Sequence, residues 1–132
     1  MKEEYVTYSQ AVKLKELGFD WKCRDFYPIT GALGIKRNCS HTNFNSFQMS
    51  FDSKYGEIFS APRLDQAQKW LREKHNLSVE PICNMVRQWN VNVCEIDNFG
   101  TAVYSKINLD TYELALSAGI DAALELLTLN TK

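Results

Sequence analysis

The spacing of apolar residues predicts three amphipathic helices, one near each end of the chain and one in the middle. In each of these stretches apolar side chains recur every three to four positions, which places them on one face of a helix. The predicted helices run from Thr7 to Gly18, from about Pro62 to His75, and from Asp110 or Thr111 to about Leu127.

Local signals at the ends of these stretches support the assignment. Thr7-Tyr8-Ser9-Gln10 and Asp110-Thr111-Tyr112-Glu113 both fit a capping box, in which two side chains satisfy free N–H groups at a helix start reciprocally. Gly18 and Asn76 tolerate the left-handed conformation that commonly ends a helix. Ser60 and Pro62 suit the start of the second helix.

Between the helices the pattern changes to alternation, which is typical of strands with one buried face. In Phe47-Gln48-Met49-Ser50-Phe51 the alternation is strict, so Phe47 and Phe51 are expected on the core side. Pro81 indicates an edge or a bulge. Strands are predicted at Trp21–Tyr27, around Ile35, and at Phe47–Phe51, Leu77–Val86, Trp89–Val93 and Thr101–Ile107; turns or loops are predicted at Pro28–Gly34, Asn38–Asn45 and Asp97–Gly100.

These elements predict an α+β fold in the order α-β-β-β-α-β-β-β-α, with an antiparallel sheet and the helices mostly on one of its faces. The 132 residues, 45% of them hydrophobic, suit a single domain over residues 1–132. A chain of this length buries enough surface to fold without disulfides or a metal.

The sequence also bears on location and on metal chemistry. The start, Met1-Lys2-Glu3-Glu4-Tyr5, is unlike a signal peptide, and no apolar run is long enough to span a membrane, so we expect a cytoplasmic protein. The four cysteines form no C-x-x-C pair and are expected as free thiols. Cys39-Ser40-His41 lacks the ligand spacing of a structural zinc site, and no metal or cofactor is predicted.

Three segments resemble a family of short, uncharacterised proteins from gut anaerobic bacteria and their phages or mobile elements. They are Ala61-Pro62-Arg63-Leu64 with Ala67-Gln68-Lys69-Trp70-Leu71-Arg72-Glu73, Thr111-Tyr112-Glu113 with Ala118-Gly119-Ile120 and Ala123-Leu124, and Tyr5-Val6-Thr7-Tyr8 with Gly18-Phe19-Asp20-Trp21. They cover about a third of the chain, mainly helices. The resemblance implies an accessory protein and transfers no catalytic residue, cofactor or partner.

Few residues offer catalytic chemistry. The two histidines are His41, in the predicted Asn-rich loop, and His75, where a positive charge would favour the helix dipole. Glu95 and Asp97 form a carboxylate pair at a strand end, a place where solvated charges are common. No catalytic residue is assigned, and the sequence favours a protein that is not an enzyme.

A nucleic-acid site is the second hypothesis. Lys36, Arg37, His41 and Asn43 are the candidate contacts, because basic groups beside aromatics such as Phe44 could hold a single strand. Residues 1–75 carry twelve Lys/Arg against nine Asp/Glu, and residues 76–132 carry three against seven. With a net charge of −1 this asymmetry is too mild to imply nucleic acid by itself.

The third helix is more apolar than a surface helix needs, since its apolar residues spread over about two-thirds of the circumference against a usual stripe of about 100°. Either the sheet and helix one or two cover it, or Leu116, Ile120 and Leu124 form a partner interface. Gly119 interrupts this helix among alanines, which predicts that another backbone element crosses closely there.

The sequence therefore predicts a non-catalytic interaction or regulatory protein of a phage or mobile element, with a protein partner or a second copy as its target. A nucleic-acid-binding accessory protein is the alternative. A small enzyme with dispersed active-site residues is the second alternative.

Overall fold

The structure, a computed structural model, describes residues 5–29, 36–46, 51–52, 56–96 and 102–130, with the backbone alone for 36–41, 52 and 130. The chain divides into two compact units. The N-terminal unit is Tyr5–Pro62, and the C-terminal unit begins at Arg63. That residues 1–132 form one domain stays a prediction.

The N-terminal unit combines one helix with a four-stranded antiparallel sheet in the order β2-β1-β4-β3. Helix α1 packs against β4. The elements are α1 (Tyr8–Glu16), β1 (Cys23–Pro28), β2 (Lys36–Thr42), β3 (Phe51–Asp52) and β4 (Gly56–Ser60).

The C-terminal unit combines two helices with a three-stranded antiparallel sheet in the order β5-β6-β7. Helix α3 packs on all three strands and on α2, and α2 also packs on β5. The elements are α2 (Leu64–His75), β5 (Leu77–Cys83), β6 (Trp89–Glu95), β7 (Ala102–Leu109) and α3 (Tyr112–Asn130).

The predicted α+β class, the three helices and the antiparallel pairing are confirmed. The predicted order differs, because the described residues place four strands before α2 instead of three. The strands also form two sheets rather than one. Strand β4 escaped prediction because its last three residues, from Ile58 to Ser60, are all buried and show no alternation.

Capping signals explain both ends of α1, the end of α2 and the start of α3. The Thr7 hydroxyl accepts the N–H of Gln10 at 3.2 Å, while the Gln10 amide oxygen accepts the N–H of Thr7 at 2.8 Å, so the first capping box is confirmed. Gly18 has a φ of +90°, and Asn76 ends α2 with a φ of +56°. At α3 the predicted capping box is wrong by one residue: the Thr111 hydroxyl accepts the N–H of Leu114, and the apolar Leu114 side chain cannot complete a box.

The N-terminal unit has an aromatic core. Phe26 and Phe44 lie with ring centroids 5.0 Å apart, and Phe19 and Phe59 are also buried. Phe51, predicted on the core face, is instead 72% exposed, because β3 is a two-residue strand at the sheet edge. Phe47 lies outside the described residues.

The core of the C-terminal unit lies between α3 and the sheet. Leu116, Ile120 and Leu124, predicted as a partner interface, are at most 2% exposed within the chain itself. They face inward because α3 is covered by the sheet on one side and by α2 on another. The prediction that these residues form a partner interface is therefore corrected. The alternative holds, in which the sheet and a second helix cover α3, and that second helix is α2.

Gly119 marks a close approach between α3 and the sheet. A Cβ built on Gly119 would lie 2.5 Å from Cγ1 of Val79 and 2.7 Å from Cγ2 of Val91. Real Cβ atoms do not approach other atoms this closely, so a side chain at this position would push the helix away from β5 and β6. The predicted close crossing at Gly119 is confirmed.

Two predictions about loops and edges had different outcomes. The loop predicted at Asn38–Asn45 is wrong in its first part, because Lys36–Thr42 is strand β2, paired with β1. Pro81 lies in β5, which is an edge strand of its sheet, as predicted. The strand predicted around Ile35 and the turns predicted at Pro28–Gly34 and Asp97–Gly100 lie wholly or largely outside the described residues.

Candidate functional sites

The residues proposed to contact nucleic acid do not form a loop. Lys36, Arg37 and His41 lie on β2, an edge strand of the N-terminal sheet. Asn43 follows the strand, and its side-chain oxygen accepts the N–H of Asn45 at 3.0 Å. Asn43 therefore has a local structural role in the turn, which accounts for its presence without a ligand.

The aromatic residues expected to complete that site are also separated from it. Phe44 is 2% exposed and belongs to the core, so no base could stack on it without unfolding the turn. Phe51 is exposed, but β3 and β2 are the opposite edges of the sheet. At about 4.8 Å between neighbouring strands, three strand spacings put Phe51 about 14 Å from β2.

Burial makes the thiol of Cys23 a poor nucleophile. It is buried at the start of β1, and desolvation raises the pKa of its thiol to about 12, although a hydrogen bond with Ser60 opposes the rise and Asp25 adds to it. At neutral pH the nucleophilic thiolate is therefore scarce. Cys83 is exposed and Cys94 half-buried, and all three are free thiols.

Metal ligands do not converge in the part of the chain that the structure describes. Those residues contain no group of three or more His, Cys, Asp or Glu side chains placed to hold an ion. Cys39 and His41 lie on β2, where only the backbone is described.

The first candidate site is the end of the C-terminal sheet at which β5 turns into β6. The side-chain oxygen of Asn84 accepts the N–H groups of Val86 and Gln88, each at 3.0 Å. Its NH₂ group donates to the side-chain oxygens of Asn90 (3.2 Å) and Asn108 (3.3 Å). Asn84 thus joins the turn to β6 and to the end of β7.

Four large apolar side chains are exposed at this end of the sheet. We call them the hairpin-end patch: Ile82 (47% exposed), Met85 (101%), Val86 (70%) and Ile107 (63%). Ile82 pairs with Asn90 on β6, and Ile107 precedes Asn108, whose N–H donates to the Asn90 side chain. Ile82 and Ile107 therefore lie on the strands beside Asn90, and Met85 and Val86 lie in the turn that follows Ile82. The sequence alternation along these strands did not distinguish these residues from ordinary surface.

The second candidate site is a cavity of about 320 Å³ at the other end of the same sheet. His75 and Asn76, at the end of α2, form one wall, and Leu126 and Leu127 of α3 form another. Glu95, at the end of β6, lines the same cavity. Its volume is within the range of small-molecule sites.

His75 is held in the cavity wall by its neighbour Trp70. The two rings meet edge-on with centroids 4.7 Å apart, and burial lowers the pKa of the imidazole from its ordinary value. The position at the end of α2 is as predicted, and the lowered pKa favours the neutral ring. Within the described residues neither the His75 ring nitrogens nor the Glu95 carboxylate has a hydrogen-bond or ion-pair partner.

A smaller cavity of about 220 Å³ lies beside the first, since Val103 and Leu126 line both. Ala122 and Leu129 add apolar walls, and Glu125 is exposed at its side. Sequence reasoning considered His75 and Glu95 separately and missed this arrangement, because the two residues are twenty positions apart and meet only through the β5–β6 pairing of Leu77 with Glu95.

Comparisons with family models, with curated proteins and with solved structures found no match to this chain. Among the described residues no helix has both the length and the hydropathy needed to cross a membrane.

Proposed function

We propose that this chain is a non-catalytic interaction protein that binds a protein partner through the hairpin-end patch. The setting we propose is the cytoplasm, in an accessory or regulatory role for a phage or mobile element, which rests on the resemblance of the helices to that family. The carrying observation is the exposure of Ile82, Met85, Val86 and Ile107 at a sheet end fixed by Asn84.

Two physical arguments support docking at this patch. Exposed apolar side chains gain free energy when a partner removes them from water, at about 25 cal/mol per Å² buried. The hydrogen bonds of Asn84 hold the turn before binding, so little conformational entropy is lost on association. A rigid and apolar surface of this kind is typical of an interaction site.

The size of the patch indicates the kind of partner. Permanent homodimers commonly bury 2,000 Å² or more, which is far beyond what four side chains supply. We therefore propose a different protein, presenting an apolar groove, that binds transiently. The nucleic-acid alternative has less support, because Phe44 is buried and Phe51 lies across the sheet from β2.

Site-specific photo-crosslinking tests the proposal. A benzophenone amino acid placed at position 85 in the full chain, expressed in its native cells, is expected to form one dominant adduct with another protein. The same group at position 72, which is exposed on α2, is the control and is expected to form none. An adduct of twice 15.2 kDa would instead identify a second copy as the occupant and overturn the proposed partner.

A charge placed in the patch gives an independent test. Val86→Asp is expected to reduce the position-85 adduct at least tenfold, because a charge must then be buried on docking. Ala102→Asp, which adds the same charge at an exposed position of β7, is the matched control. Equal adducts in the two variants, or equal adducts from positions 85 and 72, would contradict the proposal.

A further inference from the structure

The two adjacent cavities beside α3 are both lined by apolar side chains and one carboxylate, and the proposed docking function uses neither of them. Leu126 and Leu127 supply apolar wall in the first cavity, and Leu126 and Leu129 supply it in the second. Each cavity also has one carboxylate, Glu95 in the first and Glu125 in the second, and neither is lined by a lysine or an arginine among the described residues.

The electrostatics of the surrounding elements favour a cation. Helix α3 has no basic residue in its last turn, so the partial negative charge at its carbonyl end is uncompensated by its own side chains. Helix α2 does carry Arg72 and Lys74 in its last turn, but both are exposed and neither lines the cavity. The imidazole of His75, favoured as the neutral form, adds no positive charge and offers a nitrogen for a hydrogen bond.

We infer that these cavities form one binding site for a small organic amine, whose ammonium group lies beside Glu95 and His75 and whose apolar tail lies along Leu126 towards Leu129. Glu95 would pair with the ammonium charge, and the shared wall of Val103 and Leu126 would remove the tail from water. An aliphatic carboxylate of the same length would place its charge against Glu95, and the repulsion would weaken its binding.

Three probes of equal length test the charge preference: hexylamine, hexan-1-ol and hexanoate, each titrated into the ¹⁵N-labelled full chain and followed by NMR. Hexylammonium is expected to shift the amide signals of His75, Leu77, Glu95 and Val103 and to bind about tenfold more tightly than hexanoate. An exposed charge pair changes affinity by about threefold to fivefold, and replacing attraction by repulsion compounds the effect.

Substitutions in the cavity distinguish the contribution of the ammonium group to binding from that of the apolar tail. Glu95→Gln is expected to weaken hexylammonium about threefold while leaving hexan-1-ol unchanged. The matched control, Glu80→Gln, makes the same charge change at an exposed position of β5 outside both cavities and is expected to have no effect. Leu126→Ala is expected to weaken all three probes alike, with thermal unfolding confirming that the variant is folded.

A chain-length series tests whether the second cavity takes the tail. From butylamine to hexylamine to octylamine the affinity is expected to rise by up to about fourfold for each methylene buried. Leu129→Ala is expected to reduce the gain between hexylamine and octylamine but to leave butylamine binding unchanged.

The proposal is overturned if hexanoate binds as tightly as hexylammonium, if the shifted signals lie away from the cavity, or if Glu95→Gln and Glu80→Gln behave alike. The hairpin-end patch lies at the opposite end of the sheet, so none of these results depends on it. The amine site and the proposed docking function are therefore tested independently.

Discussion

At the scale of single residues, Gly119 determines how closely α3 lies on the sheet. A glycine inside a helix costs about 1 kcal/mol relative to alanine. This cost is offset because the missing side chain lets Val79 and Val91 lie directly against the helix. Since valine is stiff about χ1, neither side chain can rotate freely out of the way.

Replacing Gly119 should therefore reverse the usual ranking of helix formers. On an open face, Gly119→Ala would stabilise the chain by up to about 1 kcal/mol. Here we expect it to destabilise by about 1 kcal/mol, and Gly119→Leu by about 3 kcal/mol, because overpacking exceeds the gain in helix propensity. Urea unfolding measures both, with Ala118→Leu at the neighbouring half-buried position as the control for added bulk.

A double-mutant cycle identifies the contact responsible. In a Val79→Ala background the added methyl at position 119 meets less bulk, so the cost of Gly119→Ala is expected to shrink. Equal costs in both backgrounds, or a stabilising Gly119→Ala, would contradict the close crossing.

His75 should make the stability of the chain depend on pH. Burial lowers its pKa in the folded state below the ordinary value of about 6.5, so the folded chain binds fewer protons than the unfolded chain between the two pKa values. The free energy of unfolding is therefore expected to fall as the pH drops below about 6.5, until the folded-state pKa is passed. Urea unfolding of wild type and His75→Gln from pH 7.5 to 5 measures the difference between them.

The sign of that difference decides the outcome. Carboxylates common to both proteins cancel, so wild type should lose stability relative to His75→Gln on acidification. If wild type gains instead, the helix dipole or Glu95 outweighs burial, and the neutral ring assigned to the cavity wall is wrong.

At the scale of elements, the turn between β5 and β6 depends on one asparagine. Asn84→Ala removes four side-chain hydrogen bonds, two within the turn and two that reach β6 and β7. At about 1 kcal/mol or less for each partly exposed bond, we expect a loss of about 2 kcal/mol. Asn92→Ala, which removes one side-chain bond with Ser105, is the control and should cost about 1 kcal/mol or less.

Amide exchange shows whether the loss is local. In Asn84→Ala the backbone amides of Val86 and Gln88 should exchange faster while those in the centre of β6 change less. Equal stability losses in the two variants would show that Asn84 does not hold the turn.

Elements with local chemical signals were predictable, and those that depend on distant partners were not. Both ends of α1 and the C-terminal end of α2 followed from the Thr7 box, Gly18 and Asn76, all of which act within a few residues. The start of α2 did not follow from Ser60, which ends β4, because Arg63 precedes the helix without a side-chain cap. Strand β2 was taken for a loop because its sequence is polar, and only pairing with β1 makes it a strand. Phe51 alternates as a core residue would, but the edge position of β3 leaves it in solvent.

The same distinction applies to the candidate sites. Neither site could be predicted from the spacing of residues along the sequence. The β5–β6 register brings His75 and Glu95 to one cavity, and hydrogen bonds that link β5, β6 and β7 surround the hairpin-end patch. The sequence did indicate that α3 was too apolar for a surface helix. It did not decide whether α3 is buried by α2 or docks a partner, because both arrangements require the same wide distribution of apolar residues around the helix.

At the scale of the whole molecule, charge and exposed aromatic surface together argue against tight nucleic-acid binding. The net charge is −1, and single strands are held by phosphate contacts together with aromatic stacking. Phe44 is unavailable for stacking, and Phe51 lies at the sheet edge opposite Lys36 and Arg37. We therefore expect a labelled twelve-nucleotide single strand to bind with a Kd no tighter than about 10 μM at physiological salt, measured by fluorescence anisotropy.

Paired variants test whether the charges on β2 form a site. Replacing Lys36 and Arg37 by alanine is expected to weaken the residual binding by no more than about twofold, as a non-specific loss of two charges would. The control replaces Lys69 and Lys74, two exposed lysines of α2, and should give the same small effect. Binding tighter than micromolar that is lost in the Lys36/Arg37 variant but kept in the control would make β2 a nucleic-acid surface. That result would place this hypothesis above docking through the hairpin-end patch.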